Sequence, residues 1–380
     1  MKNLYKKSFF SLLFLVMIFL CSVLVFNRAV DPKAYFAGPR IDGLNANKMY
    51  ASRERTILSA KPEVIILGSS RAQVGINPLD AAWKNKNVFN LAAGGESIYD
   101  NLNFLKYAHQ KNSVNEVFLM VDLFMFSQAR KPYIPSDYYY LDSVSLNESL
   151  LKTNILSSLL SLSTLAQSFS TLQSQSLTTD TMNHGSLLNH VHSPPSHSKN
   201  KSTESSYYKV HLRNFSYHSM LPAFEEILDF VDQNNIALTI GISPVHARLL
   251  EVIYISGLWD DFESWKKELT IILDAHNKKN KQSDILLFDF SGYNKFTTEE
   301  SPLPNNYRKM QWYDESAHYN HKLGSLIIKR MIDRNNKSAD FGKSININNI
   351  DNHLSKIRQQ REAWKAKYPL HFQDVHSLKR

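Results

Sequence analysis

Short apolar runs rich in β-branched residues alternate along this chain with stretches whose apolar positions recur every three or four residues. Glu63 to Leu67 reads as a buried strand that breaks at Gly68. Val88 to Ala92 reads as a second, ending at Gly94-Gly95, and a helix is expected from Ile98 to Gln110 with Leu102, Leu105 and Ala108 on one face. Val117 to Asp122 is a third strand. After a long interruption the pattern resumes, with a helix over Leu221 to Gln233 and a strand over Ala237 to Ile242. Helical segments follow at Ala247 to Tyr254 and Asp260 to Asn277, then a strand at Asp284 to Phe290 and a last core helix at Tyr319 to Asp333. Strand, turn and helix in that rhythm predict an α/β fold with a mainly parallel sheet. No internal repeat at solenoid spacing interrupts it.

Three segments depart from this pattern. Ser8 to Phe26 carries no charge and is long enough to cross a bilayer as a helix, while Lys2, Lys6 and Lys7 precede it. The apolar core is longer than a signal peptide's and no small-residue cleavage site follows, so a retained single-pass anchor is expected, with residues 1–7 in the cytoplasm and the body outside it. Residues 27–61 read as a stalk. Residues 127–207 read as an insertion, rich in Ser, Thr, Gln and His, whose part from about 180 to 206 offers little apolar surface and is expected to be flexible. The core domain then spans 62–334, and 335–380 forms a polar, partly helical appended tail.

Composition narrows the function. A chain of 380 residues with 43% hydrophobic content can bury a sizeable core. Its one cysteine, Cys21, lies in the expected anchor, so the body has neither disulfide nor thiolate chemistry. The net charge of +9 suits anionic polymers or a membrane surface, and outside the cytoplasm nucleic acid is not an expected partner. His184, His190, His192 and His197 cluster in the insertion without Cys or acidic partners at ligand spacing, so neither metal nor cofactor is expected.

Two short stretches carry the candidate chemistry. Val64-Ile-Ile-Leu-Gly-Ser-Ser-Arg71 delivers Ser69 and Ser70 onto a turn at the carboxyl end of a strand, where α/β folds bind ligands. Trp312-Tyr-Asp-Glu-Ser-Ala-His-Tyr319 supplies His318, with Glu315 three residues and Asp314 four residues before it. A serine hydroxyl needs a base to take its proton and a carboxylate to orient that base, and all three residue types are present. Asp314 or Ser316 capping the following helix is the structural alternative. Arg71, Asp122 and His246 stand near the same strand ends as candidates for touching substrate.

Through Gly68-Ser69-Ser70 and Glu315-Ser-Ala-His318 the chain resembles the SGNH, or GDSL-like, hydrolase superfamily, in its membrane-anchored bacterial envelope branch. The resemblance covers about Glu63 to Phe126 and Ala237 to Arg334. It extends to Ile242-Ser-Pro-Val-His-Ala-Arg248, Gly257-Leu-Trp-Asp260 and Phe288-Asp-Phe-Ser-Gly-Tyr-Asn294 in an anchored bacterial group of unassigned function. It implies a three-layer α/β/α sandwich, with Ser70 as nucleophile, His318 as base, Glu315 (alternatively Asp314) as orienting acid, and the N–H groups of Ser70 and Gly94 or Gly95 as oxyanion donors. Two positions depart from the superfamily pattern. Ser69 replaces the usual aspartate, as in the D-alanyl transfer proteins of teichoic acid, and Asp122 stands where an asparagine donor is usual. The implied activity is esterase or O-acyltransferase action on an envelope polysaccharide or lipid, similar to polysaccharide O-acetyl transfer proteins such as those of alginate. A membrane-bound acyl-donor protein is the corresponding partner. The departures keep a second expectation open: a catalytically silent binding or assembly component of polysaccharide export.

Overall fold

A computed structural model describes residues 2–32, 61–130, 156–173, 195–280, 285–304, 306–334 and 341–379. The expected stalk beyond residue 32, most of the insertion with His184, His190 and His192, and residues 335–340 lie outside them. In chain order the elements are α1 (Lys2–Val30), β1 (Val64–Gly68), α2 (Ser70–Gly75), β2 (Val88–Asn90), α3 (Ile98–Asn112), β3 (Glu116–Val121), α4 (Leu162–Gln173), α5 (His197–Ser206) and α6 (Leu221–Gln233). They continue with β4 (Ala237–Ile242), α7 (Ala247–Ile255), α8 (Trp259–Lys279), β5 (Leu286–Asp289), α9 (His321–Ile332), β6 (Lys343–Ile345), α10 (Ile350–Lys367) and α11 (Pro369–His376).

The chain divides into two compact units, one holding residues 1–60 and 134–183 and the other 61–133 and 184–380. In the first, α1 is long and apolar enough to cross a membrane between Tyr5 and Val30. Its last turns pack against α4.

The second unit is built on a six-stranded sheet in the order β2-β1-β3-β4-β5-β6. The first five strands are parallel, and β6 runs antiparallel to β5. All five residues of β1 are buried, as are the last five of β3 and of β4, in keeping with their unbroken apolar sequence. The winding reverses between β1 and β3, because the chain first steps from β1 to β2 and then returns past β1 to β3. Such a reversal opens a crevice at the carboxyl ends of the two strands. Ser69 and Ser70 follow β1, and Asp122 follows β3, so the candidate residues collect there.

Two segments differ from their sequence reading. Residues 197–206, expected within a flexible run, form α5, capped by Ser196, with Asn200 and Glu204 fully buried. The segment after residue 340 is no appendage: β6 extends the sheet, and α10 and α11 bury Ile350, Leu354, Ile357, Arg361, Trp364, His371 and Val375. The buried face of α5 is polar, and that of α10 and α11 interleaves apolar residues with Arg361 and His371 in a strongly charged segment; in both segments buried ion pairs satisfy the charges. Glu204 takes both its oxygens to Arg248, at 2.6 and 2.8 Å, and Arg248 also reaches Asp374 at 2.5 Å. Arg361 similarly grips buried Glu251 at 2.8 Å through two nitrogens.

Candidate active site

Ser70 opens α2, and Ser69 is its N-cap, its hydroxyl accepting the Arg71 N–H at 3.4 Å. The helix packs very closely on α9. A methyl group at Gly324 would lie 1.8 Å from the Gly75 carbonyl, and one at Gly75 would lie 2.0 Å from the Tyr319 ring. These two glycines let the Ser70 helix meet the segment that carries His318.

That segment closes on itself. Tyr313 and Tyr319 form an antiparallel bridge, both fully buried, and the Asp314 N–H donates to the His318 carbonyl at 3.0 Å. The closure folds Glu315 back onto the imidazole. Ser70 Oγ lies 2.8 Å from His318 Nε2, and His318 Nδ1 bonds Glu315 Oε1. Glu315 accepts the Ala317 N–H at 2.9 Å on its other oxygen. Burial opposes the charge of this carboxylate, but the His318 ring, the Ala317 N–H and the Thr203 hydroxyl outweigh it and bring its pKa down to about 2. An ionised Glu315 accepts only, so Nδ1 carries the proton and Nε2 is free to accept from Ser70. Ser70 and His318 remain partly exposed, whereas Glu315 is buried. The orienting bond is made by Glu315 and not by Asp314.

Gly94 lies beside the nucleophile: a methyl group built on it would be 3.7 Å from Ser70 Cβ. Gly95 is exposed, with φ of +84°, and opens to free space. The Gly94-Gly95 turn therefore lies beside the first residue of α2.

Arg71, Asp122 and His246 are buried. Asp122 is 3% exposed and caps the turn Leu123–Phe126 through the N–H groups of Phe124 and Met125. It also accepts the Ser69 hydroxyl at 2.6 Å and Arg71 Nη1 at 2.9 Å. Burial alone would raise its pKa, but Arg71, Arg130 and these hydrogen bonds hold it below the usual aspartate range. Arg71 is fully buried, donates also to the Tyr207 hydroxyl at 2.9 Å and lies over the Phe124 ring. His246, 1% exposed, caps α7 by accepting the Arg248 N–H on Nδ1 and donates through Nε2 to the Glu299 carbonyl at 2.7 Å. Burial holds it neutral, its pKa lowered to about 3. All three, expected as substrate contacts, are buried and engaged in hydrogen bonds within the protein.

The residues that hold the His318 loop come from α5 and were not among the expected site residues. Asn200 accepts the Ser316 N–H at 3.1 Å, Glu204 accepts the Ser316 hydroxyl at 2.6 Å, and the Ser316 carbonyl accepts the His246 N–H at 3.1 Å. Helix α5 therefore clamps the residues flanking Glu315 through Asn200, Thr203 and Glu204. The signal available was Asn200, Glu204 and Tyr207 at helical spacing, but periodicity searches weight apolar residues and pass over such a face.

Among the described residues, no three His, Cys, Asp or Glu side chains are grouped so as to hold a metal ion. No family model matches the chain, and no curated protein is similar to it by sequence.

Proposed function

We propose that this protein is an SGNH-like serine acyl-transfer enzyme, anchored in the bacterial cytoplasmic membrane by α1, with a three-layer α/β/α domain working outside the cytoplasm. The observation that carries the reading is the unbroken hydrogen-bonded line Ser70, His318, Glu315, assembled from segments at opposite ends of the domain.

In this reaction His318 Nε2 takes the Ser70 proton as Oγ attacks an ester carbonyl. The carbonyl π electrons move to oxygen, where the N–H groups of Ser70 and of Gly94 or Gly95 receive the charge; each such donor is worth about 3 to 4 kcal/mol in comparable sites. Collapse expels the alkoxide, which takes the proton from His318 and leaves acyl-Ser70. A water or a sugar hydroxyl then attacks that ester, giving its proton to His318, and the second tetrahedral intermediate collapses as His318 returns that proton to the departing Ser70 Oγ. Hydrolysis and transfer share the acyl-enzyme and differ only in the acceptor. Asp122 does not oppose the oxyanion, because Arg71 neutralises it. The net charge of +9 suits an anionic envelope glycan or lipid as substrate, with a membrane-bound protein as acyl donor.

The test treats the full chain, solubilised in detergent, with a fluorophosphonate probe and with p-nitrophenyl acetate, beside Ser70→Ala. Labelling and hydrolysis should depend on Ser70. Reaction that survives the substitution removes Ser70 from the mechanism, and no reaction in either protein favours a silent binding component of polysaccharide export.

A further inference from the structure

Helix α4 is built inside out. Its buried positions are Thr164, Ser168 and Thr171, at 1%, 0% and 0% exposure; Leu165 is half-buried, and the other large apolar residues point away: Leu162 at 72%, Phe169 at 54% and Leu172 at 38%. A helix folding in water does the reverse, since apolar area removed from water is its main stabilisation. In lipid the driving force changes. Apolar side chains gain nothing by leaving the bilayer, and helices associate through small and hydroxylated residues that pack closely and hydrogen-bond.

The partner of the hydroxylated face is the outer end of α1. Val23, Asn27 and Val30, spaced four and three, are its buried positions there. Asn27 is fully buried: its amide donates to the Leu159 carbonyl at 2.7 Å, and its oxygen accepts the Ser168 hydroxyl at 2.8 Å. The Phe26 and Phe169 rings meet with centroids 5.2 Å apart, so the apolar surface of the anchor runs on into that of α4. No charged residue occurs between Thr153 and Thr179, in a chain that is 21% charged.

We propose that α4 lies in the membrane, against the outer end of α1, with Leu162, Phe169 and Leu172 in the acyl chains. At 12 residues it is too short to span, so it occupies the boundary between headgroups and hydrocarbon. The insertion thereby becomes a second membrane attachment of the chain, beyond the single anchor. The proposal rests on α1 crossing the bilayer and is independent of the acyl chemistry.

The test uses the full chain carrying Cys21→Ser, reconstituted in vesicles of phosphatidylethanolamine and phosphatidylglycerol. Single cysteines at Leu162→Cys, Phe169→Cys and Leu172→Cys are labelled with a polarity-sensitive fluorophore, with Val25→Cys as the anchor control and Tyr307→Cys as the aqueous one. The expected result is blue-shifted emission at 162, 169 and 172, lost to acyl-chain nitroxide lipids as fully as at position 25. Quenching by aqueous iodide to the extent seen at 307 would overturn the proposal. So would protection from both quenchers with cross-linking between labelled chains, which would assign the face to a second copy. Water-like emission at position 25 would remove the anchor and α4 from the bilayer together.

Discussion

Ser69 and Ser70 are adjacent residues, each hydrogen-bonded to the side chain of a distant segment, and their surroundings differ in every respect that matters for chemistry. Ser69 is buried and donates to a carboxylate that is already saturated by Arg71 and two backbone N–H groups. Its proton has nowhere useful to go, because Arg71 and Arg130 hold Asp122 in its ionised form, below the usual aspartate range. Ser70 is partly exposed and meets an imidazole nitrogen whose opposite nitrogen is fixed by Glu315. A hydroxyl becomes a candidate nucleophile through the basicity and orientation of its partner, and through access. The carboxylate beside Ser69 instead holds β1, β3 and α2 together.

The comparison can be broken most sharply at Ser70. Ser70→Ala should lower ester hydrolysis by about 10³-fold or more while leaving the thermal midpoint nearly unchanged, because the site is partly open. Glu315→Gln should lower kcat by at least ~10²-fold, since the neutral amide no longer stabilises the imidazolium or fixes its tautomer. Its steady-state kinetics should show kcat falling far more than KM changes.

On the other side, Asp122→Asn should act on stability. It leaves the Arg71 cation buried without its counter-charge, at a cost of about 3 to 5 kcal/mol, read by urea titration. Activity per folded molecule should be largely kept. A loss of kcat without a loss of stability would place Asp122 in the chemistry.

Acid titration adds a smaller effect away from the nucleophile. His246 has a folded pKa of about 3 against an ordinary 6.5, so between those values the unfolded chain binds a proton that the folded chain refuses. Its contribution is therefore complete above pH 6.5 and declines on acidification to about pH 3, with a slope of roughly 1.4 kcal/mol per pH unit. Glu315, with its pKa lowered to about 2, adds a loss of the same sign below the ordinary carboxylate range. His246→Asn keeps a capping oxygen for the Arg248 N–H, and its stability should depend less steeply on pH across that window. Ser69→Ala should be the mildest change, about 1 kcal/mol of stability with activity within a few-fold of the parent, since it removes one bond to Asp122 and one cap.

The strands were legible because parallel strands bury unbroken apolar runs: Val64-Ile-Ile-Leu67 and Ala237-Leu-Thr-Ile-Gly-Ile242 admit few other readings. The helix Leu221–Gln233 and the strand Ala237–Ile242 coincide with their expected limits. Helix α5 was not legible, and neither was the inward face of α10 and α11. Their inward faces include charged residues in pairs such as Glu204 with Arg248 and Glu251 with Arg361, whose members are 44 and 110 residues apart. A charged side chain in a sequence looks solvated until its counter-ion is known. For the same reason the burial of Arg71, Asp122 and His246, candidates for touching substrate, could not be read from the sequence.

By itself the sequence determined the α/β class, an apolar N-terminal helix able to cross a membrane, and the short motifs bearing Ser70, Glu315 and His318. Those are local properties of period, length and spacing. Only the tertiary structure decided which serine meets the imidazole, which of two acids orients it, and that Asp122 is silenced by Arg71. It also decided that α4 turns its hydroxyls inward. Each of these depends on which groups lose water together, and that is fixed by contacts between distant segments, such as the approach of Gly75 to Gly324.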